Sequence, residues 1–187
     1  MHENSVSLLR AKLFTNFDTS DTQDSCDQTK RGAIWFAGLG YKIFPCSSDK
    51  RPLVKWTQFH SDDQNQIIEW WQQYPNAMIG LPCGPINGIA VLDIDVKNEV
   101  NGFQSLADQG FEIPPNTLQV NTPSGGAHFY FRLRPDEVIK NSAGKIGPGV
   151  DVRGDGGYVI APPSVSASGT YRVANASDWS LFKELRS

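Results

Sequence analysis

The run GIAVLDIDV, residues 88–96, constrains the fold more than any other part of the chain. It is short, aliphatic and bounded by Gly88 on one side and the polar KNE on the other, which predicts a β-strand. Yet it carries two aspartates. Side chains alternate between faces along a strand, so Asp93 and Asp95 point one way while Leu92, Ile94 and Val96 point the other. Two carboxylates side by side on a hydrophobic strand repel each other and lose hydration. Either that face of the sheet is open to water, or a cation sits between them. Oxygen-only ligands favour a hard ion such as Mg²⁺ or Mn²⁺. The DxD pair alone does not separate these two cases.

Two later segments add polar chemistry of the same kind. In TPSGGAHFYFR, Ser124, Gly125 and Gly126 form a tight turn whose bare backbone N–H groups can approach a phosphate closely. His128 opens the following strand and shares a face with Tyr130 and Arg132, with Phe129 and Phe131 opposite. A histidine there can donate to a triphosphate oxygen or protonate a leaving group. A hairpin turn followed by a surface histidine would look the same, and no GK[ST] follows that would make it a Walker loop. In GPGVDVRGDGGYVIAPPSV, Asp151 and Arg153 share a strand face, setting a third carboxylate beside a guanidinium. A metal–triphosphate site needs that pairing; an ordinary surface ion pair has it too. Asp155-Gly-Gly reads as a turn.

The remaining chain supplies the frame. Residues 15–30 are polar and nearly free of apolar side chains, and are read as a flexible linker. Before them, Val6, Leu8, Leu9, Leu13 and Phe14 suggest a short amphipathic helix. A division follows into residues 1–30, a short helix and linker, and residues 31–187, one catalytic domain. Helices are predicted over residues 33–39, 61–73 (Ser61 as N-cap, acids in the first turn), 100–109 (closed by Gly110) and 177–185. Strands are predicted over 41–45, 77–81, 88–96, 117–121, 127–134, 149–153, 158–161 and 171–173. Helices interleaved with short strands make a mixed α/β class with a substantial sheet.

The net charge of −3 gives no global basic field, although a local basic groove around an acidic centre is compatible with it. Cys26, Cys46 and Cys83 are odd in number and lack CxxC spacing, so they read as free thiols in a reducing compartment. The N-terminus lacks the apolar core of a signal peptide and no stretch reaches membrane-span length. The expected location is the cytoplasm.

Taken in order, LDIDV at 92–96, TPSGGAHFYF at 122–131 and GVDVRGDGGYVIAPPS at 149–164 resemble the bifunctional primase/polymerase domain of the archaeo-eukaryotic primase superfamily. Upstream, GYKIFPCSSDKRPLVKW at 40–56 is similar to the family's opening strand and its lysine–proline–tryptophan turn, and IIEWWQQYPNAMIGL to its next helix and strand. The resemblance covers roughly residues 31–173. It implies an α+β fold, a mixed β-sheet core related to the RNA-recognition fold with an added N-terminal α/β layer. It also implies that Asp93, Asp95 and Asp151 hold two divalent ions, Mg²⁺ or Mn²⁺, and that His128 meets the phosphates of the incoming nucleotide. Ser124, Gly125, Gly126, Arg153 and Lys50 are implied on the nucleotide side, and Lys55 and Trp56 as weaker candidates on the template side.

The activity implied is DNA primase and DNA polymerase chemistry: attack of a 3′-hydroxyl on the α-phosphate of a nucleoside triphosphate, ribo or deoxyribo, directed by single-stranded DNA. Such domains are often encoded on plasmids, phages and other mobile elements. No helicase or zinc-binding segment follows within the sequence, so a helicase module would act in trans or has been removed. Two rival readings share the residues: a non-catalytic nucleic-acid-binding module, and a metal-dependent nuclease. An acidic cluster facing phosphates serves a binder poorly, and the glycine turn with His128 favours a triphosphate substrate over a nuclease's.

Overall fold

The computed structural model describes residues 22–186. The expected helix before residue 15 lies outside them. The described part of the segment read as a linker is helical: α1 spans Thr22–Gly38, so it crosses the boundary placed at residue 31. No glycine or proline interrupts residues 22–31, and one face, Thr29, Ala33, Phe36 and Ala37, is buried. Thr29 fits that face because its hydroxyl donates to Ser25 O, 3.1 Å away, one turn back. The second helix, α2, spans Gln64–Gln73 and buries Ile67, Trp70 and Trp71. Its N-cap is Asp63, whose carboxylate accepts from Asn65 N, rather than Ser61. Ser61 instead bridges to Ile43 and accepts from the Asp63 amide. The acids therefore precede the helix instead of filling its first turn.

Two antiparallel sheets follow. The smaller is ordered β1 (Phe44–Cys46), β2 (Met78–Pro82) and β10 (Tyr158–Ala161). The larger takes six strands in the order β13-β6-β7-β3-β9-β8. Its centre is β7 (Ala127–Arg132), β3 (Ile89–Ile94) and β9 (Val150–Arg153), flanked by β6 (Leu118–Asn121), β13 (Arg172–Val173) and β8 (Ser142–Gly147). Every paired strand in both sheets is antiparallel, so the core is not the mixed sheet expected. Tight turns set two of these pairings: residues 122–126 join β6 to β7, and Pro148-Gly149 join β8 to β9. Short ribbons, β4 (Val96–Lys97) with β5 (Val100–Asn101) and β11 (Val165–Ser166) with β12 (Gly169–Thr170), complete the strands.

The third helix, α3 (Gly102–Asp108), is capped by the Asn101 side chain. The fourth, α4, runs Trp179–Glu184 after one 3₁₀ turn at Ala176–Asp178. One face of the large sheet, with Ile89, Val91, Leu118, Val120 and Tyr130, joins α1, α2, α4 and the small sheet in the main core. The opposite face, with Ile94, Ala127, Phe129 and Val150, packs under α3 through Leu106. Asp93 lies on the first of these faces, two residues beyond Val91, where the interlayer packing gives way to polar groups. No helix among the described residues is long and apolar enough to cross a membrane.

Candidate active site

Register builds the site. Asp93 on β3 stands directly opposite His128 on β7 and directly opposite Asp151 on β9. Directly opposed residues in antiparallel strands share a face, so three residues separated by up to 58 positions form one row across the centre of the sheet. Arg153, two residues after Asp151 on the same face, closes the row. Its Nε and Nη2 donate to Asp93 Oδ2 at 3.2 and 3.1 Å, and Nη2 also donates to Asp151 Oδ2 at 2.7 Å. The expected Asp151–Arg153 partnership is present, and it extends to Asp93. The Asp93 side chain is only 16% exposed, so this is not the ion pair of an open surface.

Asp95 sits one residue past the end of β3, and its backbone is fixed at both atoms: its N–H donates to Gly149 O at 2.8 Å and its carbonyl accepts from Gly102 N at 2.9 Å. A β-carbon on Gly102 would lie 2.2 Å from Gly149 O, so these three backbones meet with no room for a side chain. The Asp95 carboxylate is taken by Lys97, 2.8 Å away. The hydrogen bond that Lys97 donates to Asp95 is the first cause that raises the Lys97 pKa, and the charges of Asp95, Asp93 and Asp151 also contribute.

Three carboxylates at one end of one sheet, each already matched to a positive charge, are the donor set a hard divalent ion prefers. As they stand, no three acidic or imidazole side chains among the described residues converge on one point. Arg153 and Lys97 occupy the carboxylate oxygens that an ion would need. The residues therefore fit Mg²⁺ or Mn²⁺ in chemistry, with these two cationic side chains as its competitors.

His128 is buried, with Nε2 3.5 Å from Asp93 Oδ1. Its Nδ1 is buried without a hydrogen-bond partner. Burial lowers the imidazole pKa below its ordinary value, and Lys50 and Arg153 lower it further, while Asp93 opposes them. A neutral ring results at pH 7, which suits hydrogen bonding to a ligand better than acting as an acid. The Tyr171 ring lies 5.7 Å from the His128 ring, and Lys50 Nζ sits 5.9 Å from the Tyr171 centroid. Lys50 reaches across from the small-sheet layer on a turn where its own φ is +67°. Its amide donates to Ser47 O and its carbonyl accepts from Tyr158 Oη at 3.0 Å. The expectation that Lys50 serves this site thus gains a position beside it.

The glycine turn abuts the end of β3. Gly125 has φ +85°, and a β-carbon on Gly126 would lie 1.9 Å from Ile94 O. Ser124 is exposed, with its hydroxyl 3.1 Å from that of Thr122. Asp155 is bound to Lys140 at 2.6 Å and its amide donates to Ile139 O, the structural turn role expected of it. Trp56 lies in neither the nucleotide row nor open solvent: it stacks on Phe44 at 5.3 Å and meets Tyr158 edge-on at 5.5 Å. Lys55 is exposed beside it. Residues the sequence reading passed over are Lys97, Tyr171 and Tyr158. Lys97 had a signal, since it lies two residues from Asp95 in an extended run; Tyr171 had none, because a tyrosine entering a short edge strand looks like core.

Compared with known proteins, the chain matches the sequence model of one family, described as bifunctional DNA primase/polymerase, N-terminal, over residues 33–185. No curated protein matches it.

Proposed function

The chain belongs to the bifunctional DNA primase/polymerase family, and on that premise we propose that the row Asp93–His128–Asp151, with Asp95 and Arg153, is where a nucleoside triphosphate is joined to a 3′-hydroxyl opposite a single-stranded DNA template. The observation that carries this reading is the register that sets Asp93 opposite both His128 and Asp151. The new bond joins the 3′-oxygen to the α-phosphorus; the bond between the α-phosphorus and its bridging oxygen to the β-phosphate breaks, and pyrophosphate leaves.

Asp93, Asp95 and Asp151 would hold Mg²⁺ or Mn²⁺, which when bound supplies charge neutralisation at the phosphates and a lower pKa for the attacking hydroxyl. Arg153, released from the carboxylates, has the fork geometry to grip a phosphate oxygen. His128, neutral and buried, orients the phosphates by hydrogen bonding. Ser124 and the Gly126 amide, in the turn beside the end of β3, would meet the triphosphate, while the Gly125 N–H donates to Thr122 O at 3.1 Å within the turn and would reach a phosphate only by giving up that bond. Lys50 adds a positive charge from the opposite layer. We read the six-stranded sheet as the RNA-recognition-related core, and β1, β2 and β10 with α1 and α2 as the added N-terminal layer. The setting we propose is replication of a plasmid, phage or other mobile element, with a helicase module as partner.

The test is incubation with a single-stranded template, Mg²⁺ or Mn²⁺ and labelled nucleotides, with and without primer. Extension or primer synthesis is the expected result, and the double variant Asp93→Ala/Asp95→Ala should lose it completely while keeping a wild-type circular dichroism spectrum. Synthesis that survives this double change, or template shortening in place of extension, would refute the assignment.

A further inference from the structure

The loop between β1 and α2 carries chemistry that the nucleotide row does not use. Residues 51–60, RPLVKWTQFH, hold Arg51 and Lys55 and no acid. The loop is fastened at several points: the Leu53 amide donates to Pro45 O, and the Gln58 and Phe59 amides both donate to Lys55 O. Trp56, the largest ring in the segment, turns inward onto Phe44 and Tyr158. Phe59 does the reverse. It is 57% exposed, and Leu53, three residues before Trp56, is 36% exposed, in a protein that buries most of its large apolar side chains. Lys55, between them, is exposed and makes no ion pair among the described residues.

We infer that Phe59, with Leu53 and Lys55, is a stacking platform for an unpaired base of the single-stranded template just outside the nucleotide site. Trp56, which sequence alone suggested for that role, instead anchors the platform. The inference rests on the polymerase reading, because that reading supplies the occupant. Continuity with the site supports it: Tyr158, on which Trp56 packs, donates to Lys50 O, and Lys50 reaches Tyr171 beside His128. Charge supports it as well. Lys55 suits a polyanion; Arg51 pairs with Asp49 at 3.0 Å, Asp63 is engaged in capping α2, and exposed Asp62 marks the end of the acid-free stretch. An aromatic face next to an unpaired lysine is sequence-tolerant recognition, since every base has a π-face.

The test uses the full chain and a fluorescent, unstructured deoxyoligonucleotide, with Kd read by anisotropy and KM measured separately for template and nucleotide. Phe59→Ala should weaken oligonucleotide binding about tenfold and raise the template KM, leaving the nucleotide KM unchanged. Phe59→Trp should bind as wild type or better. Phe111→Ala removes a ring of similar exposure, 56%, after α3 on the other side of the large sheet, and should change nothing. Wild-type affinity in Phe59→Ala, or an equal loss in Phe111→Ala, overturns the platform while leaving polymerase activity intact. Oligonucleotide binding that depends on Phe59 in a wild-type protein unable to incorporate nucleotide would do the opposite, removing the polymerase reading and keeping the surface.

Discussion

At the scale of single residues, Arg153 decides the resting state of the site. It donates to both Asp93 and Asp151, so the protein carries its own counter-charge where a divalent ion would bind. Two partly buried carboxylates without that guanidinium would repel each other across neighbouring strands. Arg153→Gln keeps a polar side chain but removes the charge. The metal-free variant should therefore melt below the wild type, and millimolar Mg²⁺ or Mn²⁺ should raise its melting temperature by more than it raises the wild type's, because the ion no longer competes with an arginine. A calorimetric titration checks this independently of catalysis. If neither protein gains stability or shows a binding isotherm, the carboxylates do not hold the ion. Lys97 makes the same argument at Asp95, more weakly, because that pair is more exposed and more screened.

At the scale of elements, the site depends on how tightly the end of β3 is packed by glycine backbones. Gly126 and Gly125 are neighbours in one turn yet differ in what they contribute. A β-carbon at Gly126 would lie 1.9 Å from Ile94 O, backbone against backbone, whereas one at Gly125 meets nothing and only strains φ at +85°. Gly126→Ala should accordingly cost about 3 kcal/mol, the upper end of overpacking, and Gly125→Ala about 1–2 kcal/mol from the left-handed backbone alone. Urea denaturation of the two variants measures the difference; equal losses would mean that the turn stands away from β3. The same comparison shows what could be read in the chain beforehand. The alternation in LDIDV and AHFYFR placed Asp93 and His128 on definite faces, and the strand around Asp151 did likewise, so antiparallel pairing was enough to bring them into a row. What differs is the strand's extent: the alternation runs on to residue 96, whereas β3 ends at Ile94, one residue before Asp95. The β4–β5 ribbon that follows turns at Asn98 and Glu99, with φ of +49° and +66°. Asn tolerates that region and Glu does so poorly, so the pair did not resemble a hairpin turn. Strand β8 was hidden by Gly144, Lys145 and Gly147, which break apolar alternation, and the part of α1 before residue 33 was hidden because the buried side chain among residues 25–31 is a threonine, Thr29.

At the scale of the whole molecule, the short helix α4 closes the core from which the catalytic row projects. Phe182 is fully buried and touches Trp35, Phe36, Tyr41 and Tyr130 with ring centroids 4.9 to 6.2 Å away. Tyr41 Oη donates to Phe182 O at 2.8 Å, and Arg186 bonds to Gly40 O and Asn87 O. The cluster thus joins α1, α4 and β7, and Tyr130 lies two residues from His128 on the same strand face. Truncating such a ring, Phe182→Ala, should cost about 3–5 kcal/mol. The cysteines report whether that loss opens the whole core. Cys26 is half-exposed near the start of α1, while Cys46 and Cys83 are buried between the layers. Burial pushes the Cys46 thiol up to about 12 and Cys83 well above its ordinary value, so neither forms a reactive thiolate while the core is closed. A disulfide reagent at pH 8 should label Cys26 quickly and the other two only through opening of the structure. In Phe182→Ala both slow rates should rise together, by about tenfold for each 1.4 kcal/mol of stability lost. If Cys46 accelerates alone, the small sheet opens separately from the large one; if both already match Cys26 in the wild type, the two layers are not packed as the buried contacts require.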